Sequence, residues 1–253
     1  MTKTILVTGA TDGIGLMTAK TLANRGHHVI LHGRSVAKLA SAASEIGQGI
    51  STYRADLSSL QEAYDLAMSI RTDHDCIDVL INNAGVFKIG DPILPNGQDV
   101  RFVVNTLAPY ALTKALLPII PKAGRILNLS SAAQAPVDIA ALKGQSRLGD
   151  MAAYAQSKRA ITIWSHELAG RLAEGPVIIA VNPGSLLASK MVKEGFGVAG
   201  NDLQIGVDIL CRLALDQDFA NDSGKYWDND FGGFSPVNFG DSERVMNAIE
   251  ELV

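Results

Sequence analysis

The chain has 253 residues, 47% of them hydrophobic and 19% charged, with 22 basic against 26 acidic side chains and a net charge of −4. That length and apolar content suit one large domain with a sizeable core and exclude a disordered chain. No basic block stands out, so nucleic acid is not an expected partner.

Cys76 and Cys211 lie far apart and belong to no CxxC or Cys/His spacing, as expected of two reduced thiols in a cytoplasmic protein. Met1 is followed at once by a strand-like run, and no secretion signal is expected. Nor does any apolar run approach the roughly 18 residues that would announce a membrane span.

Short β-branched runs alternate with longer helical stretches. KTILVTG predicts a first strand, followed by a helix through about Arg25. HHVILHG predicts a second, with a helix from Ser35 to about Ile46. GISTYRADL is a third, with its helix reaching the early seventies, and DVLINNAG a fourth. After a loop holding Pro92 and Pro95, a long helix is expected from about Asp99 to Ile120, with Pro109 as the place where it would break. GRILNLSS is a fifth strand, Met151 to Leu172 another long helix, PVIIAVNPG a sixth strand and GKYWD a seventh. Such alternation predicts a single-domain, doubly wound α/β fold, a parallel sheet with helices on both faces. In open sheets of this kind ligands bind beyond the carboxyl ends of the strands. Those ends hold TGATDGIG, HGR, ADL, NNAG, LSS and NPG.

Two stretches carry chemistry. In TGATDGIG, glycines between the first strand and first helix allow a tight turn and the close approach of a phosphate to helix N–H groups. Its G-x-x-x-G-x-G spacing differs from the G-x-G-x-x-G of the common dinucleotide fingerprint. In YAQSK, Tyr154 and Lys158 are four apart, one turn on one face of a helix. An ammonium about 4 Å from a phenol at an effective dielectric near 20 contributes of order 4 kcal/mol, roughly three pKa units, enough to bring tyrosine toward neutrality as an acid/base. By itself the spacing also fits a plain surface helix.

Taken together, TGATDGIG, NNAG at Asn82 to Gly85 and YAQSK resemble the short-chain dehydrogenase/reductase family, in its compact single-domain branch. The resemblance runs in order from residue 4 to about 190. It implies a Rossmann-type fold, a nicotinamide cofactor and hydride transfer between a carbonyl and an alcohol, with Tyr154 as proton donor. Lys158 would tune the phenol and hold the cofactor's ribose. Ser131 would orient the substrate oxygen, chosen over Ser130 on the family's habit, and Asn105 would support a water path to the lysine. Gly9, Thr11, Asp12, Gly13, Ile14 and Gly15 would hold the pyrophosphate turn. Asp56 and Leu57 would meet the adenine, and Asn82, Ala84 and Gly85 the adenosine ribose. Pro183, Gly184 and Ser185 would lie beside the nicotinamide, where the family's usual threonine is missing and Ser185 or Ser189 would substitute.

The second strand ends His32-Gly33-Arg34 with no carboxylate, and Arg34 offers a forked cation suited to a 2′-phosphate. NADP(H) is therefore expected over NAD(H), although Asp12 stands where NADP-preferring members often carry a basic residue. A substrate lid is expected over about 185–203, and a homodimer or homotetramer by resemblance. The 23 positions from Ser131 to Tyr154 (154 − 131) exceed the compact pattern and resemble retinol-dehydrogenase-like members. That stretch would line the substrate mouth or cover a subunit contact. No metal site is expected, Asp228 and Asp230 included. A cofactor-sensing protein of the same fold is the second reading, and intact Tyr154 and Lys158 argue against it.

Overall fold

The structure, a computed structural model, describes the chain apart from residues 48, 173, 189–196, 198 and 239. Its first half runs β1 (Thr4–Val7), α1 (Gly13–Asn24), β2 (His28–Gly33), α2 (Val36–Ile46), β3 (Ser51–Arg54), α3 (Leu60–Asp73) and β4 (Val79–Asn82). Next come α4 (Val100–Ile119), β5 (Arg125–Leu129), the short α5 (Ile139–Leu142), α6 (Asp150–Arg171) and β6 (Val177–Asn182). α7 (Leu203–Leu215), β7 (Tyr226–Asp228), β8 (Gly233–Ser235) and α8 (Ser242–Glu250) complete the described elements.

One sheet joins all eight strands in the order β3-β2-β1-β4-β5-β6-β7-β8. All pairs are parallel except β7 with β8. The period-2 alternation of each strand feeds two cores. Ile5, Val7, Leu31, Ile81 and Leu127 pack with α1, α2 and α7, while Leu6, Ile30, Leu80 and Ile126 pack with α3, α4, α6 and α8. Burial on both faces is why these strands are nearly continuous apolar runs. The strand order reverses at β1, which pairs with β2 on one side and β4 on the other, and this opens a crevice at their carboxyl ends.

Several features depart from the sequence expectation. β8 was not expected: three residues after Gly232 carry too little pattern to announce a strand. α4 does not break at Pro109. It widens instead into a π turn over Val103–Leu107, closed by the Ala108 N–H donating to the Val103 carbonyl. Proline at 109 cannot donate to the carbonyl of Asn105, so the helical ladder is already interrupted there and the chain takes up the slack in one wide turn. By length and composition Val100–Ile119 could cross a bilayer, contrary to the expectation that no run would, yet 72% of its apolar window is buried within the protein. It serves here as a core helix.

The stretch between Ser131 and Tyr154 is a bracket. Gly144 lies against Gly97, where a Cβ would stand 2.7 Å from the Gly97 carbonyl oxygen. Arg147 Nη1 donates to that same carbonyl at 2.6 Å, and Lys143 pairs with Glu251 at 2.5 Å. At its end, fully buried Arg101 grips Asp99 through Nε and Nη2 (2.8 and 2.6 Å) and reaches Asp150, the first residue of α6, at 2.5 Å. The start of α4 and the start of α6 are thereby fixed to each other. On the outer side of α6, Val245, Met246 and Ile249 of α8 are buried in the same core as Trp164 and Leu168. Glu250 accepts from Tyr110 at 3.0 Å and pairs with Arg171 at 2.7 Å.

Candidate active site

A cleft of about 750 Å³ runs across the carboxyl ends of β1, β2, β4, β5 and β6. Its floor is the turn after β1. Gly9 adopts φ 64°, which only glycine takes without strain, and at Gly15 a Cβ would fall 2.4 Å from the Gly9 carbonyl oxygen. Gly15 thus permits α1 to enter directly beneath the turn. Asn83 Nδ2 donates to the carbonyls of Thr8 and Gly9 at 2.8 and 3.1 Å, while Thr8 Oγ1 accepts from the N–H groups of Asn83 and Ala84 at 3.0 Å each. On the far side, Gly9 N–H donates to Nδ1 of buried His32 at 3.3 Å.

Thr11, Asp12, Gly13 and Ile14 line the cleft beside Gly9 and Gly15. Asp12 caps α1, its Oδ1 accepting from Gly13 N–H at 2.8 Å. The remaining first-turn N–H groups have no intrahelical acceptor and suit an anion. Past the end of β2, Arg34 lines the wall as expected, joined by Lys38 from the first turn of α2. Lys38 Nζ stands 3.9 Å from Asp12 Oδ2, which offsets the charge that counted against a 2′-phosphate. Asp56 and Leu57 line the same end. Burial pushes the Asp56 carboxyl up, but bonds from Ser58 and the charges of Arg34 and Arg54 together hold it below its ordinary range.

Ala84 and Gly85 line the cleft, and Asn82 does not. Asn82 sits opposite Asn128 in the β4–β5 register and points into the α4 layer, where its amide donates to Asn128 Oδ1 and Thr113 Oγ1 at 2.8 and 3.0 Å. Its neighbour Asn83 takes the place at the wall. Strand alternation contained that signal, because adjacent residues face opposite sides.

Ser131, Tyr154 and Lys158 meet at the other end of the cleft. Ser130, the alternative, is buried, its hydroxyl against the Lys158 carbonyl at 2.9 Å and Thr162 Oγ1 at 2.6 Å, where it ties β5 to α6. Burial raises the Tyr154 phenol above its usual range, and a hydrogen bond from Ser131 pulls the other way. The expected lowering by Lys158 is therefore not found. Lys158 Nζ lies 5.7 Å from the Tyr154 ring centroid and donates to the Leu129 carbonyl at 2.7 Å. Burial brings the ammonium itself down to about 8.

Asn105 does not line the cleft either. Its side chain forms a two-way bridge with the Val86 main chain (2.8 and 3.0 Å) and donates to Ser157 Oγ at 3.0 Å. It joins the segment after β4 to α6 and so sets the depth of Tyr154. The π turn carries Asn105 to this position.

The lining near Tyr154 is mostly apolar, with Val86, Phe87, Ile89, Val104, Met151 and Leu186 beside one further cation, Lys88. Phe87 packs on the Tyr154 ring at 5.0 Å between centroids. Pro183, Gly184 and Ser185 line the floor. Ser185 is already engaged, its N–H and hydroxyl both donating to Asp230 at 2.8 and 2.5 Å. Asn182 Nδ2 donates to Asp228 and Asp230 at 2.8 and 2.9 Å. The two aspartates thus act as a strap on the turn after β6. Among the described residues no His/Cys/Asp/Glu group could hold a metal. Of the expected lid, residues 189–196 and 198, Ser189 among them, lie outside the described residues. Its two ends are clamped, Asn201 N–H donating to the Leu186 carbonyl and Ala188 N–H to the Asn201 carbonyl, each at 2.7 Å.

Residues 3–196 match the family model described as short chain dehydrogenase. Retinol dehydrogenase 13 of Homo sapiens is 33% identical over 251 residues, covering 89% of this chain and 76% of that protein. An uncharacterized protein of Mycobacterium paratuberculosis superposes with a TM-score of 0.82 at 27% identity, covering 99% of this chain and 92% of that one. A short chain dehydrogenase of Escherichia coli CFT073, solved in complex with NADPH, gives a TM-score of 0.72 at 30% identity, covering 90% of this chain and 96% of that one.

Proposed function

The chain belongs to the short-chain dehydrogenase family, and from that premise we propose that it is an NADP(H)-preferring oxidoreductase for apolar ketones, aldehydes or secondary alcohols. One observation carries the reading: a single cleft joins a phosphate-sized glycine turn and two cations at one end to Ser131, Tyr154 and Lys158 at the other. The residues present fit a nicotinamide dinucleotide, since a Cβ at Gly9 would meet Ala84 and one at Gly15 the Gly9 carbonyl, and the first residues of α1 line the cleft. The mostly apolar lining near Tyr154 supports the substrate class, and the similarity to an enzyme named for retinol, an apolar alcohol, agrees with it.

A bound nicotinamide would supply or accept the hydride. The chain's own residues do the rest. Gly9 and Gly13 shape the turn, their own N–H groups given to His32 and Asp12, and the N–H groups of Ile14 and Gly15 at the start of α1 would seat the pyrophosphate. Arg34 and Lys38 hold a 2′-phosphate, with Asp56 and Leu57 beside the adenine. Pro183, Gly184 and Ser185 floor the nicotinamide end. Ser131 donates a hydrogen bond to the substrate oxygen, and Tyr154, which burial keeps protonated, passes its proton to the same oxygen. Water returns that proton to the phenol, Lys158 keeps its charge 5.7 Å from the ring in its place on the Leu129 carbonyl, and Asn105 holds the tyrosine's helix in position.

The test is a titration with NADPH and NADH, followed by cofactor fluorescence, on wild type, Arg34→Ala and Lys38→Ala. NADPH is expected to bind at least about tenfold tighter, each substitution removing a several-fold share of that gap, as charge-assisted bonds to phosphate would. If neither nucleotide binds at millimolar concentration, the oxidoreductase reading fails.

A further inference from the structure

His32 belongs to none of the roles above, yet it is a buried histidine at the floor of the cleft, only 2% exposed. Its two ring nitrogens are both engaged. Nδ1 faces the N–H of Gly9 at 3.3 Å, and a main-chain N–H can only donate, so Nδ1 must accept. Nε2 faces the carbonyl of Ala55 at 3.1 Å, and a carbonyl can only accept, so Nε2 must carry the proton. Only the neutral ring with its proton on Nε2 satisfies both. Burial, against the opposing charge of Asp56, lowers the ring to about 4, which leaves it in that form at neutral pH.

The contact matters because of what Gly9 does. Asn83 fixes the Gly9 carbonyl, so the glycine is held at its carbonyl from the β4 side and at its N–H from the β2 side. The main chain of His32 adds a third tie, its carbonyl accepting from Ala10 N–H at 2.9 Å. A ring that bonds Gly9 and Ala55 at once also sets the spacing between the turn after β1 and the turn after β3, the two walls that would enclose an adenosine half.

We propose that His32 is a positioning residue for nucleotide binding: by accepting the Gly9 N–H it holds the glycine turn in the form that receives the pyrophosphate. The inference rests on the dinucleotide reading above. It differs from a packing role because the two ring nitrogens can be separated. Asparagine places an acceptor near Nδ1 and gives up the Ala55 bond. Glutamine places a donor near Nε2 and leaves Gly9 N–H without an acceptor.

The experiment measures NADPH affinity by fluorescence, thermal unfolding, and kcat and KM for the nucleotide, on wild type, His32→Asn and His32→Gln. His32→Gln is expected to weaken NADPH binding about tenfold and raise its KM in step, with kcat at saturation within about twofold, while His32→Asn stays within about threefold in affinity. Equal affinity in all three proteins, or a loss in His32→Asn as large as in His32→Gln, would overturn the proposal while leaving the oxidoreductase reading intact. Failure of wild type to bind either nucleotide would instead remove that reading. A second measurement needs no variant. Nitrogen-15 spectra of the wild-type histidines should show the Nε2–H form for His32 and a shift of its Nδ1 on adding NADPH, and an Nδ1–H form would end the argument.

Discussion

Replacing Tyr154 with phenylalanine lowers kcat for carbonyl reduction about 10³-fold and leaves the affinity for NADPH within about threefold. Phenylalanine keeps the ring and its packing on Phe87 and removes only the phenolic proton, so the loss measures general acid catalysis and not a collapsed wall. The direction of the pH dependence follows from burial. A phenol raised above its usual range keeps its proton through neutrality, so reduction should be flat there and fall in alkali. Lys158, brought down to about 8, is charged below that pH and loses its charge above it, which adds to the alkaline decline. Oxidation of the alcohol needs the deprotonated phenol and should therefore speed up as pH rises. Steady-state profiles in both directions test this, and a Tyr154→Phe enzyme within tenfold of wild type would defeat the assignment. So would a reduction rate that climbs with pH. The same variant separates an enzyme from a nucleotide sensor, which would lose nothing.

The largest effect on stability is expected at Arg101. Removing a buried cation strands Asp99, only 6% exposed, and breaking a buried pair in this way costs about 3–5 kcal/mol. For a domain of this size each kcal/mol shifts Tm by ~2–4 °C, so Arg101→Met should melt roughly 10 °C lower. Asp150 is nearly half exposed, and solvent screens its share, so Asp150→Asn should cost under about 1 kcal/mol. Pairing Arg101→Met with Asp99→Leu should recover most of the loss, because no uncompensated charge stays behind. Urea unfolding of the three proteins decides the matter. An unchanged midpoint for Arg101→Met would mean that the guanidinium is not held as described.

The alternation of β-branched runs with helical stretches was legible because every central strand is buried on both faces and every crossover is a helix. The glycine turn, Arg34, Ser131, Tyr154 and Lys158 were legible because they sit at strand ends or at helical spacing. What escaped was set by direction and distance. Strand periodicity turns Asn82 away from the cleft and Asn83 toward it, whereas the family resemblance points to Asn82 with Ala84 and Gly85. Pro109 announced a disturbed helix, although not that the chain would absorb it as a wide turn four residues earlier. The predicted lowering of the Tyr154 phenol assumed an ammonium about 4 Å away in a polar setting, whereas Lys158 is turned to the Leu129 carbonyl and burial decides the balance. Lys38 and His32 carry no motif. They enter the site through the twist of α2 and the end of β2, which only the folded chain brings together.

Because α8 supplies buried Val245, Met246 and Ile249 to the core that holds Trp164, the order of synthesis bears on when the protein can work. On the ribosome β1 to β4 and their helices emerge early, but Ala19 and Leu22 of α1 share a core with Val207 and Leu210 of α7, so the nucleotide half also waits for residues made late. The helix carrying Tyr154 and Lys158 emerges next, with its outer side still uncovered. It gains that cover only when residues 245–250 clear the exit tunnel. Both ends of the cleft therefore depend on segments made last, and a protease or chaperone meeting the chain before then would find part of each core uncovered.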